Sequence, residues 1–157
     1  MKRALCGMLL VLSCASACAA QTVVPGAHVR SVRGGFDEIK ERLVMALENR
    51  GLVVSYTSHV GAMLERTGRD LGRDKRIFGN AETLEFCSAR LSRDTMEADP
   101  HNIIFCPYSI AVYTLPGSPG EVYLSYRIPV YAGSPASVRA LRAVEKLLAD
   151  IVGEVAG

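Results

Sequence analysis

The sequence predicts an α+β fold with a mostly antiparallel sheet of about five strands and helices packed on one face. Apolar residues recur at helical spacing in two segments, residues 36–47 and 135–155. Between them lie short β-branched and aromatic stretches separated by Gly- and Pro-rich turns, a pattern typical of strands. Strands joined by such tight connections pair antiparallel, and the helices then cover one face of the sheet.

The first half of the chain predicts a strand, a helix and a second strand. Thr22–Val32 is an extended lead-in and first strand, and it ends at two glycines. A helix follows, and Gly51 ends it. Residues 52–60 are rich in Val, Tyr and Thr and predict a strand, whereas the polar residues 61–75 predict a short helix. The helix before Gly51 is predicted from its apolar residues, which are Phe36, Ile39, Leu43, Ala46 and Leu47.

The middle of the chain predicts a short strand over residues 76–79, followed by a helix that Asn80 caps. Leu84, Cys87 and Leu91 would share one face of that helix, because they are three and four residues apart. Asp99-Pro100 would end it.

The last third predicts a hairpin and a long helix. Residues 108–115 alternate between apolar and smaller side chains, and residues 122–128 form the returning strand. The Pro-Gly-Ser-Pro-Gly sequence at 116–120 is a strong turn signal between them. Ser134-Pro135 supplies an N-cap and a first-turn proline for the final helix.

The N-terminus resembles an export signal. Met1-Lys2-Arg3 is followed by an apolar run to Leu12 and then by small residues, with Ala17-Cys18-Ala19 as an A-x-A cleavage site. The run is shorter than the roughly 20 residues that a bilayer span needs. We therefore predict a signal peptide over residues 1–20, a lead-in over 21–30 and a single α+β domain over 31–157.

A second processing route is open for the same segment. Val11-Leu12-Ser13-Cys14 resembles a bacterial lipoprotein box, in which Cys14 would carry a lipid anchor. Both routes place the protein outside the cytoplasm, either periplasmic or extracellular or held on a membrane by lipid. No transmembrane span is predicted.

Removal of residues 1–20 changes the composition. The whole chain has 157 residues, with 18 basic and 16 acidic residues, and five Cys. The mature chain would keep 16 of each charge and only Cys87 and Cys106. A net charge of zero argues against a nucleic-acid partner. The hydrophobic content of 49% excludes a disordered chain.

Several residues together resemble the domain-of-unknown-function family 302. They are Phe78-Gly79-Asn80, then Met96 near the end of a helix, then a strand that opens at a proline, and Val122-Tyr123-Leu124-Ser125-Tyr126 on the hairpin. The resemblance extends over Ser31 to Pro129. It implies a fold similar to the TATA-binding protein and a homodimer, but no catalytic residues. Two positions depart from the family pattern, Ala81 and Cys106.

Cys87 and Cys106 are the central question for function. Two cysteines of a small exported domain are usually paired, and a disulfide here would stabilise the fold by roughly 3 kcal/mol. The alternative is that Cys106, beside Pro107, is a reactive thiol for redox chemistry or sulfur transfer. By its predicted place on an apolar helix face, Cys87 would be the more inert of the two thiols.

A ligand set is the third interpretation of this region. Cys87, Met96, His101 and Cys106 lie within 20 residues and are soft or borderline donors for a metal or a haem iron. Asp99 would orient His101. The spacing matches no standard metal motif.

Four tyrosines fall on the predicted hairpin, and they form a candidate dimer or ligand surface. They are Tyr108, Tyr113, Tyr123 and Tyr126. The sequence thus leaves three functions open: an accessory protein that binds a small ligand or metal near Cys87, His101 and Cys106, a thiol redox or sulfur-transfer protein that uses Cys106, or a structural dimerising domain with a disulfide. A non-enzymatic role is favoured, because no catalytic set has a recognisable spacing.

Overall fold

The computed structural model describes residues 24–157, and the predicted signal peptide with Cys14 lies outside this range. In chain order the elements are β1 (Ala27–Arg33), α1 (Phe36–Glu48), β2 (Val54–Ser58), α2 (Val60–Asp70), β3 (Ala81–Phe86), α3 (Ala89–Ala98), a 3-10 helix (Pro100–Phe105), β4 (Tyr108–Tyr113), β5 (Glu121–Arg127) and α4 (Pro135–Ala156). Within residues 24–157 no helix is both long enough and apolar enough to cross a membrane.

The strands form one antiparallel sheet in the order β1-β5-β4-β3-β2. Each neighbouring pair runs antiparallel, including β4 and β5, which form the predicted hairpin. The α+β class and the antiparallel sheet of five strands are therefore confirmed. The final helix also begins as predicted, since the hydroxyl of Ser134 accepts a hydrogen bond from the Ser137 N–H.

The sheet has a core face and an open face. The core face carries Leu84, Phe86, Ile110, Val112 and Leu124, all at most 1% exposed. Helices α1 and α4 cover it with their apolar stripes, of which Ile39, Leu43, Leu141 and Val144 are members. The open face carries the alternate residues, including Thr83, Ala111, Tyr113, Tyr123 and Ser125.

The prediction for residues 76–91 was wrong. Residues 76–79 are not a strand, and Ala81–Phe86 is a strand instead of the start of a helix. Leu84 faces the core from β3, Cys87 follows the strand, and Leu91 lies on α3, which Ser88 caps. The spacing of three and four residues between Leu84, Cys87 and Leu91, from which the helix was predicted, is therefore coincidental. Pairing with β2 on one side and β4 on the other decides the conformation of this segment.

Gly79 and Asn80 begin the pairing of β3 with β4 and do not cap a helix. The Gly79 N–H donates to the Thr114 carbonyl over 2.9 Å, and the Asn80 N–H donates to the Thr114 hydroxyl over 2.8 Å. A Cβ atom at position 79 would collide with that hydroxyl, so the close approach of the two segments favours glycine.

Asn102 fixes the 3-10 helix that leads to Cys106. Its buried side-chain NH₂ donates to the Thr95 carbonyl on α3 and to the Ser137 hydroxyl on α4, both over 2.9 Å. Loss of either bond would leave buried polar groups without a partner, which costs about 1–3 kcal/mol. The backbone before Cys106 is thus held against two helices.

Candidate functional site

The register of β3 and β4 brings the two thiols together. Phe86, the last residue of β3, pairs with Tyr108, the first residue of β4. Cys87 follows the first of these residues, and Cys106 precedes the second by two positions. Their Sγ atoms are 3.1 Å apart. Residues 19 positions apart in sequence therefore form one site at the end of two adjacent strands.

The two thiols differ in exposure, in the opposite sense to the sequence-based expectation. Cys87 is exposed and Cys106 is half-buried. The expectation was wrong because it placed Cys87 on an apolar helix face, whereas Cys87 lies just beyond the end of strand β3. Cys106 is partly covered because the 3-10 helix leads directly into it.

The pKa of Cys87 is raised to about 11. Partial burial of the sulfur is the largest cause, and the hydrogen bond with Cys106 adds to it. The carboxylate of Glu85 raises the pKa further. Near neutral pH, Cys87 is therefore almost entirely a protonated thiol, and its nucleophilic form is scarce.

Hydroxyl groups continue the site into the fold. Ser92 on α3 lies with its Oγ 3.6 Å from the Sγ of Cys106 and 3.3 Å from the Oη of Tyr108. Burial raises the pKa of Tyr108, so this phenol stays protonated. Ser92 could not be identified from the sequence, since its inward orientation is visible only once α3 is placed.

The other candidate ligands are not gathered in the same way. Asp99 accepts the backbone N–H of His101 over 2.9 Å and thereby caps the 3-10 helix, while His101 itself is exposed. In the part of the chain from residue 24 onward, no three His, Cys, Asp or Glu side chains form a group suited to a metal ion. Among the four candidate ligands, the contact that the structure shows is the one between the sulfurs of Cys87 and Cys106. Two thiolates on one tetrahedral Zn²⁺ would stand farther apart, about 3.8 Å, given Zn–S bonds of about 2.3 Å.

The four hairpin tyrosines do not form one surface. Tyr108 and Tyr126 are each 4% exposed and lie in the core, where Tyr108 packs edge-on against Phe86. Tyr113 and Tyr123 lie on the open face, stacked with ring centroids 5.3 Å apart. Because strand side chains alternate, odd and even positions of the hairpin face opposite sides. Only the second pair remains available for a partner or ligand.

Comparison with known proteins supports the resemblance seen in the sequence. The family model described as "Domain of unknown function DUF302" matches residues 28–155. The chain belongs to the DUF302 family. A solved structure described as an uncharacterised conserved DUF302 protein from Bacillus stearothermophilus has a similar fold, with a TM-score of 0.69 at 20% identity. The match covers 84% of this chain and 99% of that one. No curated protein matches this DUF302 chain.

The raised pKa of Cys87 gives a test of this site in the DUF302 chain. In the reduced protein, we expect the rate at which iodoacetamide alkylates Cys87 to rise about tenfold per pH unit from pH 7 to pH 10, because thiolate is the reacting form. An ordinary cysteine, with a pKa of about 8.5, would level off near pH 9. Timed quenching and mass mapping of the Cys87 peptide measure the rate. A plateau below pH 9 would contradict the environment described here.

Proposed function

We propose that this DUF302 protein is an exported accessory protein whose Cys87 and Cys106 form a reversible thiol–disulfide pair. The observation that carries the proposal is the 3.1 Å contact between the two sulfurs, one of which is exposed. A disulfide bond is about 2.05 Å long, so the two sulfurs must approach by about 1 Å to close the pair. The predicted export signal supports an oxidising compartment, in which such pairs persist.

The reaction is an exchange with an external disulfide. The two protein thiols are oxidised to one Cys87–Cys106 bond, and the external disulfide is reduced to two thiols that take up the two protons. The raised pKa of Cys87 argues against an enzyme that depends on a permanent thiolate at this residue. Accessibility of Cys87 favours a bond that reductants can reach over a purely structural one.

A redox titration tests the proposal. The purified protein is equilibrated with mixtures of reduced and oxidised dithiothreitol, free thiols are trapped with a maleimide, and the Cys87 and Cys106 peptides are quantified. We expect both thiols to disappear together at a single midpoint, because one bond consumes both. The matched variants Cys87→Ser and Cys106→Ser should each keep the remaining thiol free. Independent loss of the two thiols in the unsubstituted protein would overturn the proposal.

Two further roles stay predictions for the same protein. A metal or haem held by Cys87, Met96, His101 and Cys106 would be visible by elemental analysis and by the visible spectrum of the reduced protein. Self-association would be supported by the stacked pair Tyr113 and Tyr123 on the open face, and sedimentation would detect it.

A further inference from the structure

A cavity adjoins Cys106 where the sheet splits. β4 and β5 pair only from Ala111–Ser125 to Tyr113–Tyr123, whereas β4 continues to pair with β3 as far as Tyr108, and β5 continues to pair with β1 as far as Arg127. The two strands therefore separate at this end. A cavity of about 240 Å³ lies at the split, and Cys106 is one of its lining residues.

One part of the cavity wall is apolar. Ile104, Phe105 and Pro107 line it near the thiol, and Val144 and Leu148 of α4 reach it from the core. Its volume equals about eight waters, at roughly 30 Å³ each, which suits a ligand the size of an amino acid. It is smaller than the roughly 300–1,000 Å³ of pockets that hold larger ligands.

Two opposite charges line the same cavity. They are the carboxylate of Glu85, a half-buried residue near the end of β3, and the guanidinium of Arg127, at the end of β5. Both residues lie on the open-face side, because Glu85 pairs with Ser109 and Arg127 follows Ser125 by two positions. The ion pairs found among residues 24–157 include neither of them. The cavity thus offers one anion and one cation to a ligand.

We propose that this cavity binds one half of a small zwitterionic disulfide of the cystine class, with the carboxylate of that half on Arg127, its ammonium on Glu85 and its sulfur against Cys106. The inference rests on the proposed function, since it names the oxidant of the thiol pair. Arg and a carboxylate are matched to these two ligand groups by charge and by hydrogen-bonding capacity. A neutral disulfide, or one whose charges are all of the same sign, would leave one or both of these side chains without a partner.

The exchange then has two steps. The Cys106 thiolate attacks one ligand sulfur and forms a mixed disulfide, and the other half of the ligand leaves as a thiol after taking the proton that Cys106 lost. The Cys87 sulfur next attacks the Sγ of Cys106, which forms the internal disulfide and releases the second half of the ligand as a thiol with the proton of Cys87. Of the two thiols, Cys106 lines the cavity and Cys87 does not. The exposed Cys87 is therefore the thiol that resolves the mixed disulfide.

Four probe disulfides test the inference: zwitterionic cystine, cationic cystamine, anionic dithiodipropionate and neutral hydroxyethyl disulfide. For each probe, the rate at which both thiols are lost from the reduced protein is measured. This rate is divided by the rate at which the same probe reacts with dithiothreitol, which corrects for the intrinsic reactivity of the probe. We expect cystine to be preferred over each of the others by about tenfold, the size of effect of one charge-assisted hydrogen bond.

Variants assign the preference to the two charges. Arg127→Gln should remove the preference for cystine over cystamine, and Arg127→Lys should restore part of it. Glu85→Gln should remove the preference for cystine over dithiodipropionate. The matched controls Glu65→Gln and Arg69→Gln change an exposed pair on α2 and should keep both preferences.

The outcomes separate the inference from the proposed function. If hydroxyethyl disulfide closes the Cys87–Cys106 bond but the protein does not prefer cystine over the other probes, the cavity inference is overturned and the thiol–disulfide function stands. A preference that survives both Arg127→Gln and Glu85→Gln also overturns the inference. If no probe closes the bond, the proposed function fails and the inference fails with it.

Discussion

Replacement of Phe86 by alanine is expected to lower the free energy of unfolding by about 3–5 kcal/mol, the usual cost of removing a large aromatic side chain from a core. Phe86 is fully buried at the end of β3, between Val54 on β2 and Tyr108 on β4. Its ring meets the Tyr108 ring edge-on, with centroids 6.1 Å apart. Alanine would leave a cavity that strand pairing on both sides keeps from collapsing.

Denaturant unfolding followed by circular dichroism measures this loss. Tyr56→Ala is the matched control, since Tyr56 lies on the neighbouring β2 but is 61% exposed. It should cost less than about 1 kcal/mol, as is usual for exposed positions. Equal losses in the two variants would contradict the buried position of Phe86. The substitution should also loosen the thiol pair, because Phe86 is the residue directly before Cys87.

Oxidation of the thiol pair is expected to raise the free energy of unfolding by about 3 kcal/mol, because the bond would close a loop of about 20 residues and restrict the unfolded chain. For a domain of this size, that corresponds to a rise of roughly 10 °C in the melting temperature. Reduction should reverse the effect, since it removes the cross-link that restricts the unfolded chain.

Thermal unfolding with and without dithiothreitol measures the difference. The double variant Cys87→Ser/Cys106→Ser should melt with the reduced protein and be insensitive to the reductant. An oxidised protein that melts no higher than this variant would show that bond formation strains the native state by as much as it restricts the unfolded one.

Strong local signals made much of the fold predictable. The turn at 116–120, the Ser134-Pro135 start of α4 and the apolar stripe of α1 each follow from one short stretch of sequence. β3 could not be predicted in this way. Its residues carry no clean alternation, since Glu82 and Glu85 fall on opposite faces, and its conformation depends on partners far away in sequence.

The two cysteines of the site could be identified from the sequence, but their arrangement could not. Cys87 and Cys106 could be named because they are the only cysteines beyond the predicted signal peptide. Their contact depends on the register of β3 with β4, and their exposure was predicted in the wrong order. Glu85 and Arg127 gave no signal, because charged residues at strand ends usually face solvent. Only the split between β4 and β5 gives them a common cavity.

The connection between β3 and β4 has a consequence for how the chain holds together. Residues 88–105 leave the sheet at Cys87, form α3 and the 3-10 helix, and return at Cys106. In the oxidised protein, this segment is a covalent ring attached to the sheet at one point. A peptide-bond cut anywhere within it would leave both halves of the chain joined through sulfur. The same cut in the reduced protein would leave two fragments without a covalent link, so only the oxidised protein would stay one covalent molecule after proteolysis here.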